Sequence, residues 1–247
     1  MKRIRVLYYL VIISLLSLTS CKNGDPGPTG PTLTGDVIGY CYIYDVLGTN
    51  VVNHSGVLVT AEGSNKSAIT DSSGRFFITG LSTGTYNIAY SKSGYGTRKT
   101  ISYQFVGNGQ AYLGPVGISQ LPVFSITNLR AVKSADTIKI SGTLTGSLPI
   151  GNRWIRLFFG KSSGVSFNPS DYLYNIPVGA GNASTTFSTN MSAQSFYGFG
   201  SAAGQTVYII AYSESYVIDS YIDILTGKFI FPNLNKTPSN IVSVVVP

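Results

Sequence analysis

The sequence predicts an all-β protein, two β-sandwich domains in tandem after a cleaved leader and a Gly/Pro-rich tether. Composition points there first: charged residues are only 11% of the chain, while Gly, Ser, Thr and Tyr are abundant. Periodicity agrees, because no long stretch repeats apolar residues at the helical spacing of three and four. Length supplies the third argument. The 227 residues after position 20 are long for one sandwich and comfortable for two. The break is expected between Ser119 and Val123 in "ISQLPVFSI", where Pro122 cannot donate within a central strand.

The N-terminus reads as an export signal. Lys2, Arg3 and Arg5 precede an apolar run from Val6 to Leu18, which is shorter than the ~20 residues a membrane-spanning helix needs. The run ends in Leu18-Thr19-Ser20-Cys21, which resembles the lipobox of bacterial lipoproteins. The resemblance implies cleavage before Cys21, after residues 1–20, and a diacylglyceryl group on its sulfur. A thiol suits that role because its thiolate is the nucleophile. The glycines and prolines of "GDPGPTGPT" make residues 21–34 a stiff spacer, with a reach of ~40 Å at polyproline rise. An outer-membrane lipoprotein of the cell envelope is the expected location, with the membrane as a partner through that lipid.

From Gly35 onward the chain reads as strands and tight turns. In "ITDSSGRFFI" Asp71 can cap a turn and Gly74 can take a positive φ, so a hairpin is expected, with Phe76 and Ile78 in the core. In "GLSTGTYNIAY" Gly80 and Gly84 permit a second corner, after which Tyr86, Ile88 and Tyr90 alternate inward. Tyr86 is expected to hydrogen-bond across that corner. Cys41, in "VIGYCYIY", is expected to be a small core residue, and His54 a loop residue. These motifs, in this order, resemble the carboxypeptidase regulatory-like family. The resemblance implies a seven-stranded, transthyretin-type sandwich over residues 35–120 and no peptidase activity of its own.

Residues 122–247 are strand-rich as well. "TIKISGTL" opposes Ile138, Ile140 and Leu144 to polar residues, so one face should be buried and one wet. "QTVYIIAYS" is apolar on both faces and should be a central strand, with "SNIVSVVVP" pairing beside it as the last one. The pattern resembles immunoglobulin-like and fibronectin type III domains, and implies a second sandwich. "SFYGFGSAAG" is expected to form a packed corner.

Two features here are candidates for binding. "RWIRLFF" places Ile155, Leu157 and Phe159 on one face and Trp154, Arg156 and Phe158 on the other. If the first set is core, the second is an aromatic and cationic stripe suited to sugar rings or to a protein hot spot, unless the following loop or the first domain covers it. That loop, 161–181, brings Tyr172 and Tyr174; an edge strand around 172–176 is the alternative reading.

No catalytic set is legible. The chain has one histidine, ten carboxylates spread along its length, no metal-ligand cluster and no phosphate loop, so neither an enzyme nor a cofactor is expected. Three of the 17 Lys and Arg precede Cys21, which leaves 14 against ten Asp and Glu, a formal +4 without clustering and with no nucleic-acid footprint. The expectation is a non-catalytic surface module with a glycan or nutrient ligand, or a structural or adhesive one whose partner is another protein.

Overall fold

The structure, a computed structural model, describes residues 32–216 and 220–247. Leader residues 1–20, Cys21 and most of the tether lie outside them. Sixteen strands and one short helix follow among the described residues.

In β1 (Thr34–Tyr44) Val37, Cys41 and Ile43 point into a core, and Tyr40, Tyr42 and Tyr44 lie half-buried on the other face. β1 is central to a three-stranded sheet, antiparallel to β4 (Arg75–Ser82) and parallel to β7 (Gly109–Ser119). The facing sheet runs β3 (Ser67–Ile69), β2 (Leu58–Ala61), β5 (Gly84–Ser91), β6 (Arg98–Phe105). Phe76, Ile78, Ile88 and Tyr90 fill the space between the sheets with Val59 and Ile118.

The turns act as expected. Asp71 Oδ1 accepts from the Ser73 amide at 2.9 Å, the Ser73 hydroxyl at 2.6 Å and the Arg75 amide at 3.0 Å, and the hydroxyl bond above all lowers its pKa. Gly74 takes φ +85°, and a Cβ there would lie 2.5 Å from the Cys41 carbonyl, so nothing larger closes this hairpin. Tyr86 donates its hydroxyl to Ser82 O across the next corner at 2.9 Å.

His54 is a loop residue, as expected, but not an exposed one. Its ring is buried, and Nδ1 accepts from the Ile43 amide at 2.9 Å. It satisfies a backbone donor that the sheet leaves open.

β7 ends at Ser119 and β8 (Phe124–Ser134) begins the second sandwich. One sheet is β12 (Thr186–Ser192), β9 (Thr137–Gly146), β8; the other is β11 (Tyr174–Ala180), β10 (Arg153–Gly160), β13 (Thr206–Glu214), β16 (Val242–Val245). The first, second and fifth strands thus face the third, fourth, sixth and seventh, an immunoglobulin-like sandwich in which the fourth strand has joined the sheet of the third. β13 is central, as its two apolar faces require. β11 is the edge strand that the sequence left as an alternative to loop.

The corner at 195–204 begins instead as a helical turn, α1 (Ala193–Gly198), capped by the Ser192 hydroxyl and pinned by Phe196 in the core.

The strands alone do not account for a third apolar layer. The outer face of β10 and β13 is covered by residues 161–173 and by residues 220–241, the latter carrying the hairpin β14 (Tyr221–Ile222) and β15 (Phe229–Ile230). Phe158, Val165, Tyr172, Ile210, Tyr212, Phe231 and Leu234 pack there as a separate cluster.

The two sandwiches are joined by more than the linker. Leu121 N–H donates to Gly94 O at 2.9 Å, Gln120 N–H to Tyr44 O at 2.9 Å and Tyr216 N–H to Val46 O at 3.1 Å. Ser215 Oγ bonds Gln120 O, which ties the linker to the second sandwich. The sequence leaves a rigid pair and a hinge equally open. In the structure both sides of the linker are tied, and residues 33–247 form one unit.

Candidate functional site

Of the two readings of the stripe on β10, outward or covered, the structure shows the covered one. Phe158 is 0% exposed and Arg156 4%, because the two connections that the alternation pattern cannot place lie over them. Phe158 meets Tyr172, Tyr212 and Phe231 edge-on, with ring centroids 5.1, 5.7 and 5.6 Å away. Arg156 lies 4.1 Å beneath the Phe231 ring, its Nε donating to Glu214 at 2.8 and 2.9 Å and its Nη1 to Asn175 Oδ1 at 2.7 Å. Burial outweighs that cation and raises the Glu214 pKa.

Tyr172 is also structural. Its hydroxyl donates to Phe229 O at 2.7 Å, and Lys228 Nζ bonds its carbonyl, so it fastens the β14–β15 hairpin to the 161–173 connection. Tyr174 belongs to the sandwich core, stacked on Phe159 at 4.5 Å and Phe199 at 4.3 Å. Burial raises the pKa of both phenols. Trp154 is half-buried beside Tyr216, with centroids 5.9 Å apart. The structure therefore gathers Arg156, Phe158 and Tyr172 into one packed layer, sets Trp154 at its margin, and places Tyr174 on the opposite side of the sheet. The role expected of these five as a ligand platform gives way to a packing role for all but Trp154, since a side chain this buried has no face left for a ligand.

The layer does build a concave site at its border with the first sandwich. A cleft of about 300 Å³ opens between Tyr95, Gly96, Thr97 and Lys99 of one sandwich and Phe167, Tyr221, Ile230, Phe231 and Lys236 of the other. Leu121, Pro232 and Leu234 also line it. Tyr95, Phe167 and Tyr221 keep part of their rings accessible. Gly96 makes the approach feasible, since a Cβ there would lie 2.1 Å from Asn233 Oδ1 and 2.7 Å from Pro232 O. Phe167 is held by an ordered loop: Asp171 accepts from Ser166 at 2.6 Å, Ser170 at 2.7 Å and Asn168 at 3.1 Å, the Ser166 bond leading in lowering its pKa. Desolvation raises the Tyr221 pKa, with Glu62 and Asp223 adding to it, so the phenol is a neutral donor.

Aromatic faces around a small apolar cavity, with two ammonium groups at its border, suit a ligand that presents C–H faces and polar oxygens. The sequence held one usable signal for this site. Residues 215–241 make a connection well beyond the ~12–15 residues usual for a loop, the same criterion that singled out 161–181.

Residues 46–112 match the model of the carboxypeptidase regulatory-like domain. No curated protein matches the chain in sequence. Among solved structures, the chain is similar to a proposed carbohydrate-binding protein of Bacteroides uniformis, at 11% identity and TM-score 0.34, covering 86% of this chain and 99% of that one. It is also similar to a DUF3823 family protein of Bacteroides uniformis, at 13% identity and TM-score 0.33, covering 88% and 100%. A type II cohesin–X–dockerin complex of Acetivibrio cellulolyticus matches at 26% identity and TM-score 0.30, over 35% of this chain and 58% of that one.

Proposed function

We propose that this chain, a carboxypeptidase regulatory-like sandwich joined to an immunoglobulin-like one, is a lipid-anchored, non-catalytic saccharide-binding module of the bacterial envelope. The observation that carries the reading is the cleft between the sandwiches, where Tyr95, Phe167 and Tyr221 offer ring faces beside Lys99 and Lys236. Sugar rings present C–H faces that stack on aromatics, and their hydroxyls accept from ammonium and phenol donors.

A binding rather than catalytic role fits the occupancy of the titratable groups. Nδ1 of His54 already accepts a backbone bond, and Asp71, Asp171 and Glu214 are each engaged in folding contacts. Among the described residues no carboxylate lines the cleft.

The anchor rests on the lipobox, which ends at Cys21. Metabolic labelling with a fatty-acid analogue is expected to mark the protein and to fail in Cys21→Ala; label retained in the variant refutes the anchor.

Isothermal titration against a panel of mono- and oligosaccharides tests the site. Tyr95→Ala and Tyr221→Ala are expected to weaken binding at least tenfold while the melting temperature moves little, since both rings are only half-buried. Wild-type binding that survives both changes removes the cleft from consideration.

One observation favours the alternative of a protein partner: Ile222, Ile224, Leu225 and Phe229 are all exposed on the β14–β15 hairpin. Under that reading Leu225→Ser abolishes partner capture and leaves saccharide binding unchanged.

A further inference from the structure

Resting on the saccharide reading of the cleft, we infer that its ligand is a single anionic sugar residue, taken at the end of a chain. Size sets the first half of this. At about 300 Å³ the cavity lies at the lower limit of small-molecule pockets, so one ring enters it and a chain must leave through the mouth.

Charge sets the second half. Among the described residues, the two ionised side chains that line the cleft are Lys99 and Lys236, and both are cationic. Lys99 is 2.6 Å from Glu62, but the two side chains are 30% and 36% exposed, so solvent screens the pair and a ligand anion can compete for the ammonium. Lys236 is exposed and has no ion-pair partner among the described residues. Leu121, Phe231, Pro232 and Leu234 form the apolar wall, which concentrates the field of the two ammonium groups in the space they border. Asp223 stands on the β14–β15 turn, with its carboxylate held by the Thr226 amide at 2.9 Å and hydroxyl at 2.6 Å. It is not among the described lining residues, and its charge reaches the cleft only through Tyr221. A neutral sugar would leave Lys236 without a counter-charge, whereas a carboxylate or sulfate on the ring supplies one.

Titration of the purified protein with glucuronate, galacturonate and galactose 6-sulfate, each against glucose and galactose, tests this. At least one anionic sugar is expected to bind at least tenfold more tightly than its neutral counterpart, and the arm that does so distinguishes carboxylate from sulfate. The preference is expected to fall at least fivefold in Lys236→Gln and in 0.5 M NaCl, and to persist in Lys139→Gln, an exposed lysine on the opposite sheet of the second sandwich. Equal binding of neutral and anionic sugars overturns the inference and leaves the saccharide reading intact. Equal loss in Lys139→Gln reveals a diffuse charge effect and overturns it as well. Failure to bind any sugar overturns both.

Discussion

Arg156 Nε lies within 2.9 Å of both carboxylate oxygens of Glu214, and the two side chains are 5% and 3% exposed beneath the Phe231 ring. An enclosed pair of this kind is worth little against an apolar replacement of similar shape, but breaking it strands a charge. Arg156→Met is therefore expected to cost about 3–5 kcal/mol. The double change Arg156→Met with Glu214→Leu should recover much of that, as read by chemical denaturation. The pH dependence follows from the raised pKa of Glu214. The stability associated with its neutral form is complete below the carboxyl's ordinary value of 4.5 and is lost as pH rises through the raised folded value. In Arg156→Met that loss should steepen and extend to higher pH; in Glu214→Gln it should vanish.

Gly96 sets the spacing of the two sandwiches. Its missing Cβ would meet Asn233 Oδ1 at 2.1 Å and Pro232 O at 2.7 Å, and a backbone carbonyl cannot yield as a flexible side-chain end does. Gly96→Ala is expected to cost about 1–3 kcal/mol, as overpacking does. Hydrogen exchange should quicken around 94–97 and 231–235. Gly181→Ala, with nothing within 4 Å of the new methyl, is the control and should be neutral.

Phe158 separates a packing role from a binding one. It is fully buried among three rings, so Phe158→Ala should cost about 3–5 kcal/mol and loosen residues 161–173 and 229–235, as followed by hydrogen exchange. Tyr221→Ala should act oppositely, removing ligand affinity while leaving the melting temperature within a few degrees of wild type. A Phe158→Ala variant of unchanged stability contradicts the packed layer.

His54 predicts a second pH dependence. Burial lowers its pKa from 6.5, and the Ile43 amide needs Nδ1 as an acceptor. Stability from the neutral ring is complete above pH 6.5 and is lost as pH falls through the depressed folded value, because the unfolded chain takes up the proton first. Thermal melts from pH 7.5 downward should show this in the wild type and lose it in His54→Leu, which is expected to be less stable throughout because the Ile43 donor is left unpaired.

What the sequence determined by itself was local. Alternation placed Ile138, Ile140 and Leu144 inside one sheet and Phe76 and Ile78 inside another, and turn chemistry placed Asp71, Gly74 and the Tyr86 corner, because each depends on neighbours a few residues away. The same period of two told the faces of "RWIRLFF" apart without saying what lay over the outer one. Only the tertiary structure decided that: residues 165–172 and 231–234 reach β10 from connections whose path no periodicity encodes, and they turn Arg156 and Phe158 from a surface into an interior. The cleft follows from the same fact, since Tyr95 and Tyr221 are 126 positions apart and meet only because Gly96 lets the two sandwiches close against Pro232. Side-chain pattern is a property of the strand; what covers a strand is a property of chain paths that close over long separations.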